Sequence, residues 1–174
     1  MKRRPLLFAI VMALPASTIG GQRPLTVSLA GGGSVPMGRF EEAANIGWHA
    51  LGSVGISTLM QPIGLRLDAA HNRFSAKSIG PNPAVTSVTL NLTYRLPMTN
   101  SPLSPYLITG AGGYRFECTG GTSCGTDTRF GWNAGLGTKL AALGAKWFVE
   151  SRVHAANART RNVRFVPLTL GLTF

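Results

Sequence analysis

The sequence predicts an all-β protein, an eight-stranded antiparallel up-and-down transmembrane β-barrel. Apolar and polar residues alternate with a period of two along nearly the whole chain, and the charged residues of the strands, Arg164 near the C-terminus excepted, keep to the polar positions. Only 13% of residues are charged, about half the roughly 25% of soluble domains. The 174 residues suit one domain, and the 44% apolar content excludes a disordered chain.

The N-terminal segment, residues 1–21, has the pattern of a secretory signal peptide. Lys2, Arg3 and Arg4 precede a short apolar run at 6–14 and a small-residue stretch at 15–21. The apolar run is too short to span a bilayer, although an interfacial or buried N-terminal helix is the alternative. We expect cleavage between residues 16 and 21 and an exported domain at 22–174. Removing three cations from the net charge of +11 weakens the case for a nucleic-acid partner, and none is expected.

The first four predicted strands follow in order along the chain. Their apolar positions are Leu25, Val27 and Leu29; Ile46, Trp48, Ala50, Val54 and Ile56; Ile63, Leu65, Leu67 and Ala69; and Val88, Leu90, Leu92 and Tyr94. The other four strands have theirs at Tyr106, Ile108, Tyr114 and Phe116; Phe130, Trp132, Ala134 and Leu136; Trp147, Val149 and Val153; and Val166, Leu168, Leu170, Leu172 and Phe174. An even number of strands allows the sheet to close without free edges, as a bilayer requires.

The predicted connections alternate between long polar segments and shorter ones. The long segments are 33–45, 71–85, 118–128 and 155–163, and the shorter ones are 57–62, 97–105 and 141–145. This alternation is typical of a meander with long loops outside the cell and short turns at the other rim.

Charge placement predicts which face of each strand meets lipid. Turning a strand over would expose its charges to the hydrocarbon, at about 2–4 kcal/mol for each Arg or Lys near the midplane. We therefore expect a lumen charge network of Arg66, Asp68, Arg95, Arg115, Arg129, Glu150 and Arg152. The apolar face would carry an aromatic girdle of Trp48, Tyr94, Tyr106, Tyr114, Trp132 and Trp147. The alternative is a water-soluble sandwich or lipocalin-like barrel with its apolar face inward.

The lumen residues support two functional hypotheses. Side chains fill the interior of an eight-stranded barrel, so the first is a charge-paired, largely closed lumen. The excess of basic over acidic groups favours the alternative, a narrow anion-preferring pore for small solutes. His49 is expected in the lumen and His71 in a loop. No catalytic, cofactor or metal site is expected.

The two cysteines, Cys118 and Cys124, flank a glycine-rich loop-like segment. In an oxidising compartment such a pair is expected to form a disulfide. A zinc site is not expected, because the two thiolates have no nearby histidines to complete the ligand set.

Segments of the second half resemble a known family. Residues 164–174 look like the last strand of bacterial outer-membrane barrels, and 105–113, 130–137 and 148–154 are similar to strands five to seven of small barrels of the OmpA, OmpX and OmpW kind. The resemblance implies a monomer in the bacterial outer membrane, without cofactor. It also implies recognition by the barrel-assembly machinery through the C-terminal signal Leu168, Leu170, Leu172 and Phe174. It names no activity, because this fold has many roles.

An enzymatic function is not expected. The segment that begins at His154 is faintly similar to the His-x-Ser-Asn segment of lipid A deacylases, but Ala156 occupies the place of the nucleophile. We therefore expect an envelope-structural or surface-interaction role through four extracellular loops. An exported soluble binding barrel is the third alternative.

Basic residues gather at the rim assigned to the cell exterior, where lipopolysaccharide carries phosphates. They are Arg73, Lys77, Arg159, Arg161 and Arg164. We expect contact with lipid and with lipopolysaccharide there, and the alternative is ordinary solvated loop charge.

Overall fold

A computed structural model of the chain describes residues 25–57, 62–78, 81–98, 101–119, 126–157 and 162–174. The predicted signal peptide lies outside the described residues, as do Cys124, Arg159 and Arg161. Cys118 is described by its backbone alone. The signal peptide and the disulfide therefore stay predictions.

The described residues form eight β-strands. These are β1 (Leu25–Met37), β2 (Ala44–Ser57), β3 (Ile63–Ala76), β4 (Asn82–Arg95), β5 (Leu103–Thr119), β6 (Asp127–Ala142), β7 (Ala145–Asn157) and β8 (Asn162–Thr173). A single 3-10 turn at Gly38–Phe40 follows β1. Within the described ranges, no helix is long and apolar enough to cross a membrane.

The strands form one closed antiparallel barrel, which confirms the predicted fold class. Each strand pairs with the next in sequence, and β1 pairs with β8 from Ser28 opposite Thr173 to Met37 opposite Arg164. Closure gives every strand two neighbours and leaves no edge with unpaired backbone groups. In a ring of eight strands, β3 and β7 stand on opposite sides of the lumen.

The two ends of the barrel differ in their connections. The terminal end carries Leu25, where β1 begins, Phe174 and the connections 58–62, 96–102 and 143–144, and the loop end carries 38–43, 77–81, 120–126 and 158–161. At the terminal end, Leu143 and Gly144 both have positive φ, as a two-residue hairpin turn of type I′ requires.

The predicted lengths of the connections are wrong, and long and short connections do not alternate. The strands extend well into the segments predicted to be long loops; for example, β3 continues to Ala76 and β4 begins at Asn82, within the predicted loop 71–85. Ladder hydrogen bonds continue beyond the apolar band, because backbone pairing does not need apolar side chains. His71, predicted in a loop, therefore lies within β3.

The faces of the barrel are inverted relative to a soluble protein. Leu90, Trp132 and Leu170 on the outer wall are 58%, 52% and 54% exposed, whereas Glu150 and Arg152 in the lumen are 1% and 3% exposed. Soluble monomers rarely expose a contiguous apolar surface of this extent. The water-soluble alternative needs the apolar face inward and does not describe this barrel.

Strand β5 is the exception to the predicted faces. Tyr106, Ile108 and Tyr114 are buried in the lumen, while Arg115 is exposed on the outer face and pairs with Glu117 at 2.6 Å. The prediction took the apolar rings as lipid-facing, but a tyrosine can bury its ring and still satisfy its hydroxyl. Arg115 therefore does not belong to the lumen charge network, and Tyr106 and Tyr114 do not belong to the aromatic girdle.

The other four predicted girdle residues lie toward the two rims. Trp48 and Trp132 are exposed near the loop ends of β2 and β6. Tyr94 and Trp147 lie near the terminal ends of β4 and β7, and Trp147 donates its indole N–H to the carbonyl oxygen of Ala142. Aromatic residues at both rims are typical of membrane–water interfaces.

Candidate functional site

Four charged side chains form an ionic bridge in the middle of the lumen: Arg66, Asp68, Glu150 and Arg152. The guanidinium of Arg66 donates through Nε and Nη2 to both carboxylate oxygens of Asp68, at 2.8 and 3.0 Å, and through Nη2 to Oε1 of Glu150 at 2.8 Å. Nη1 of Arg152 donates to Oδ2 of Asp68 at 2.8 Å, and its Nε lies 2.9 Å from Oε1 of Glu150. Each carboxylate therefore contacts both guanidinium groups.

Two ion pairs of the ionic bridge cross the lumen, Arg66–Glu150 and Arg152–Asp68. Arg66 and Asp68 lie on β3, whereas Glu150 and Arg152 lie on β7 on the opposite side. The alternation of a strand places residues i and i+2 on one face, so each strand presents one cation and one anion inward. The two cross-lumen contacts link strands whose residues are far apart in sequence.

Neutral polar groups extend the ionic bridge to other strands. The hydroxyl of Tyr106 on β5 donates to Oε2 of Glu150 at 2.6 Å. Nη1 of Arg152 lies 3.4 Å from Oδ1 of Asn133 on β6, and Nδ2 of Asn133 donates to Oδ1 of Asn91 on β4 at 2.9 Å. Buried charges are stable only with such partners.

Two predicted network residues face the lumen outside the ionic bridge. Arg129 lies near the loop end and donates to Asp127 at 3.0 Å. Arg95 lies near the terminal end, and no carboxylate of the described residues is within ion-pair distance of it. Four of the seven predicted residues thus form the ionic bridge.

An apolar cap, which sequence reasoning missed, fills the lumen toward the loop end. Its buried members are Ala44, Phe74, Val85, Tyr114, Ala156, Val163 and Phe165, with Phe40 and Phe116 packed against them. Phe40, on the 3-10 turn after β1, meets the ring of Phe74 edge-on, with ring centroids 4.9 Å apart. Phe74 and Phe165 fall on the lumen-facing positions of the alternation along β3 and β8. Two phenylalanines at lumen-facing positions were the one signal in the sequence that could have predicted the apolar cap.

Two histidines, His49 and His154, lie between the apolar cap and the ionic bridge. His154 stacks on Phe165, with centroids 4.9 Å apart, and its Nδ1 is 2.9 Å from the hydroxyl of Tyr114. His49 lies in the lumen as predicted, with Nε2 3.0 Å from the Thr169 hydroxyl. His71 lies instead beside Trp48 and contacts the Thr86 hydroxyl at 2.9 Å.

Glycines on neighbouring strands make room for the lumen rings. A Cβ at Gly137 would lie 2.6 Å from the ring of Tyr106, and one at Gly131 would lie 2.7 Å from the ring of Tyr114. Any larger residue at these positions would displace a tyrosine that holds a lumen hydrogen bond.

The predicted rim residues that the structure describes are spread around the loop end. Arg73, Lys77 and Arg164 are exposed, and Arg73 on β3 and Arg164 on β8 lie on separate, non-adjacent strands. In the C-terminal segment, Leu168, Leu170 and Phe174 face outward and Leu172 is half-buried. Among the described residues, no group of three His, Cys, Asp or Glu side chains is placed to hold a metal ion.

Comparisons with known proteins agree with this geometry. The family model of the outer membrane protein beta-barrel domain matches residues 6–173. No curated protein matches the chain.

Solved structures show the same fold. The barrel is similar to Neisserial surface protein A (NspA), with a TM-score of 0.72 and 18% identity over 86% of this chain and 96% of that one. It is also similar to Ail of Yersinia pestis, at TM-score 0.55 and 13% identity over 86% and 97%. The N-terminal barrel domain of Pseudomonas aeruginosa OprF has a TM-score of 0.53 and 16% identity over 86% and 97%. The inverted faces, the closed eight-stranded ring and the family match together show that this chain belongs to the outer membrane protein β-barrel domain family, whose place is the bacterial outer membrane.

Proposed function

We propose that the protein is a closed outer-membrane barrel with an envelope-structural or surface-interaction role, in which the loop end meets partners outside the cell. The observation that carries the proposal is the filled lumen. The ionic bridge joins opposite walls, and the apolar cap occupies the same lumen toward the loop end. Water and ions need a continuous polar path to cross, and a packed apolar layer removes it.

The proposed orientation places the terminal end in the periplasm. Barrels of this class have short periplasmic turns, and the terminal end carries the two-residue turn at Leu143 and Gly144. Residues 1–21 would act as the export signal, and the Cys118–Cys124 disulfide would lie at the loop end.

Conductance measurements test the closed lumen against the pore alternative. Purified protein inserted into planar lipid bilayers is expected to give no steady single-channel steps, because the apolar cap and the ionic bridge both obstruct the path. A matched insertion control is a known porin added to the same membrane. Reproducible anion-selective steps would favour the narrow pore instead.

The exposed rim cations support lipopolysaccharide as a surface partner. Arg73 and Arg164 project outward near the loop end, at the level proposed for the outer interface. Guanidinium groups bind phosphate oxygens through paired hydrogen bonds. Arg159 and Arg161 belong to the same proposal from sequence alone.

Neutralising the rim tests this partner. The double variant R73Q/R164Q is expected to bind lipopolysaccharide vesicles at least several-fold more weakly at low salt, because two phosphate contacts are lost. The control K146Q removes a cation from the terminal end, outside the rim, and should bind as the unaltered protein does. Equal binding by all three proteins would reject lipopolysaccharide contact by these arginines.

A further inference from the structure

A vestibule opens into the barrel at the terminal end, on the other side of the ionic bridge from the apolar cap. Its cavity is about 50 Å³, and its lining includes Thr93, Arg95, Ser104 and Lys139. Arg66 and Tyr106 also line it, and both hold Glu150 in the ionic bridge. The bridge therefore closes the inner side of the vestibule.

The vestibule has an excess of positive charge. In the ionic bridge, two guanidinium groups face two carboxylates, so this buried cluster is formally neutral. Arg95 and Lys139 remain, and no carboxylate of the described residues lies within ion-pair distance of either. Two cations that line one small cavity repel each other and raise the local concentration of anions.

The position of Lys139 strengthens this argument. Its ammonium nitrogen lies 5.8 Å from the centre of the Tyr106 ring, so the side chain points over the vestibule lining. Outside the neutral ionic bridge, the charges that act on Lys139 are the cations Arg95 and Lys146. Glu150 already contacts Arg66, Arg152 and the Tyr106 hydroxyl. An external anion would relieve this imbalance.

From this arrangement we propose that the vestibule binds a small oxyanion of the phosphate or sulfate class. The Arg95 guanidinium and the Lys139 ammonium supply the charge, and the hydroxyls of Thr93 and Ser104 line the same cavity as further donors. Charge-assisted hydrogen bonds of this kind are the strong ones for oxyanions. The site is distinct from the proposed surface role, since it lies at the opposite end of the barrel.

Phosphate titration tests the site. The full barrel domain, labelled with ¹⁵N and folded in maltoside micelles, which contain no phosphate, is titrated with inorganic phosphate at constant ionic strength. Saturable shifts are expected at the amides of Thr93, Ser104 and Lys139. The variant K139Q should bind at least about tenfold more weakly.

A matched control removes the same charge elsewhere. The variant K77Q also exchanges Lys for Gln, but at the loop end, and should keep the affinity of the unaltered protein. The proposal would be overturned if the amide shifts of the unaltered protein did not saturate with phosphate. Equal phosphate affinity of K139Q and K77Q would also overturn it.

A second measurement identifies the source of the oxyanion. The titration is repeated in nanodiscs of phosphatidylglycerol, which carry headgroup phosphates next to the rim. If the same amides already show the phosphate-bound positions in the unaltered protein and in K77Q, but not in K139Q, a lipid headgroup fills the site. If added phosphate is still needed, the free ion is the ligand.

Discussion

The variant E150A is expected to lose about 3–5 kcal/mol of unfolding free energy, the largest effect of any single change considered for this barrel. Glu150 is 1% exposed and contacts Arg66, Arg152 and Tyr106. Removing it leaves two buried guanidinium groups with one carboxylate between them. The uncompensated charge, rather than the lost bonds alone, accounts for the size of the effect. Equilibrium urea unfolding in phospholipid vesicles measures it.

The surface pair on β5 provides the control. Glu117 pairs with Arg115, whose side chain is 57% exposed, so E117A is expected to cost no more than about 1 kcal/mol. If E150A and E117A changed stability equally, the ionic bridge would contribute no more than a solvated pair, and the closed-lumen proposal would lose its main support.

The variant L90R is expected to destabilise the folded barrel by about 2–4 kcal/mol in a bilayer. Leu90 lies in the middle part of β4 on the outer wall, where it is 58% exposed. An arginine there would have to place its charge among acyl chains or extend toward the headgroups. Urea unfolding in vesicles of defined thickness gives the difference.

The matched control places the same substitution near the rim. Leu103 begins β5 at the terminal end and also faces outward, so L103R is expected to cost only about 0–1 kcal/mol, because such costs fall toward the interface. A loss in L103R as large as in L90R would contradict the proposed position of the bilayer on the barrel.

Strand β5 shows where sequence patterning stopped being sufficient. Its inward positions include Tyr106 and Tyr114, and its outward positions include Arg115. Periodicity correctly predicted a strand but assigned its faces by hydropathy, which treats a tyrosine ring as lipid-facing. The partners that reverse the assignment, Glu150 and His154, come from β7.

The ionic bridge was predicted as a set of residues but not as a set of contacts. Parity along β3 and β7 placed Arg66, Asp68, Glu150 and Arg152 on the inner face, as the structure has them. Which cation meets which carboxylate depends on the relative height of two strands across the lumen. That height follows from the register of every ladder around the ring.

Local alternation determined the strands, their number and, for most strands, which residues face lipid. Successive residues of a strand point to opposite faces, and a bilayer penalises charge on the outer face. The lengths of the connections, the apolar cap and the vestibule were decided by the closed barrel, because they depend on which residues of distant strands reach the same height. Phe40 and Phe165 illustrate the difference: nothing local brings them together, and both join the cap only when β8 closes against β1.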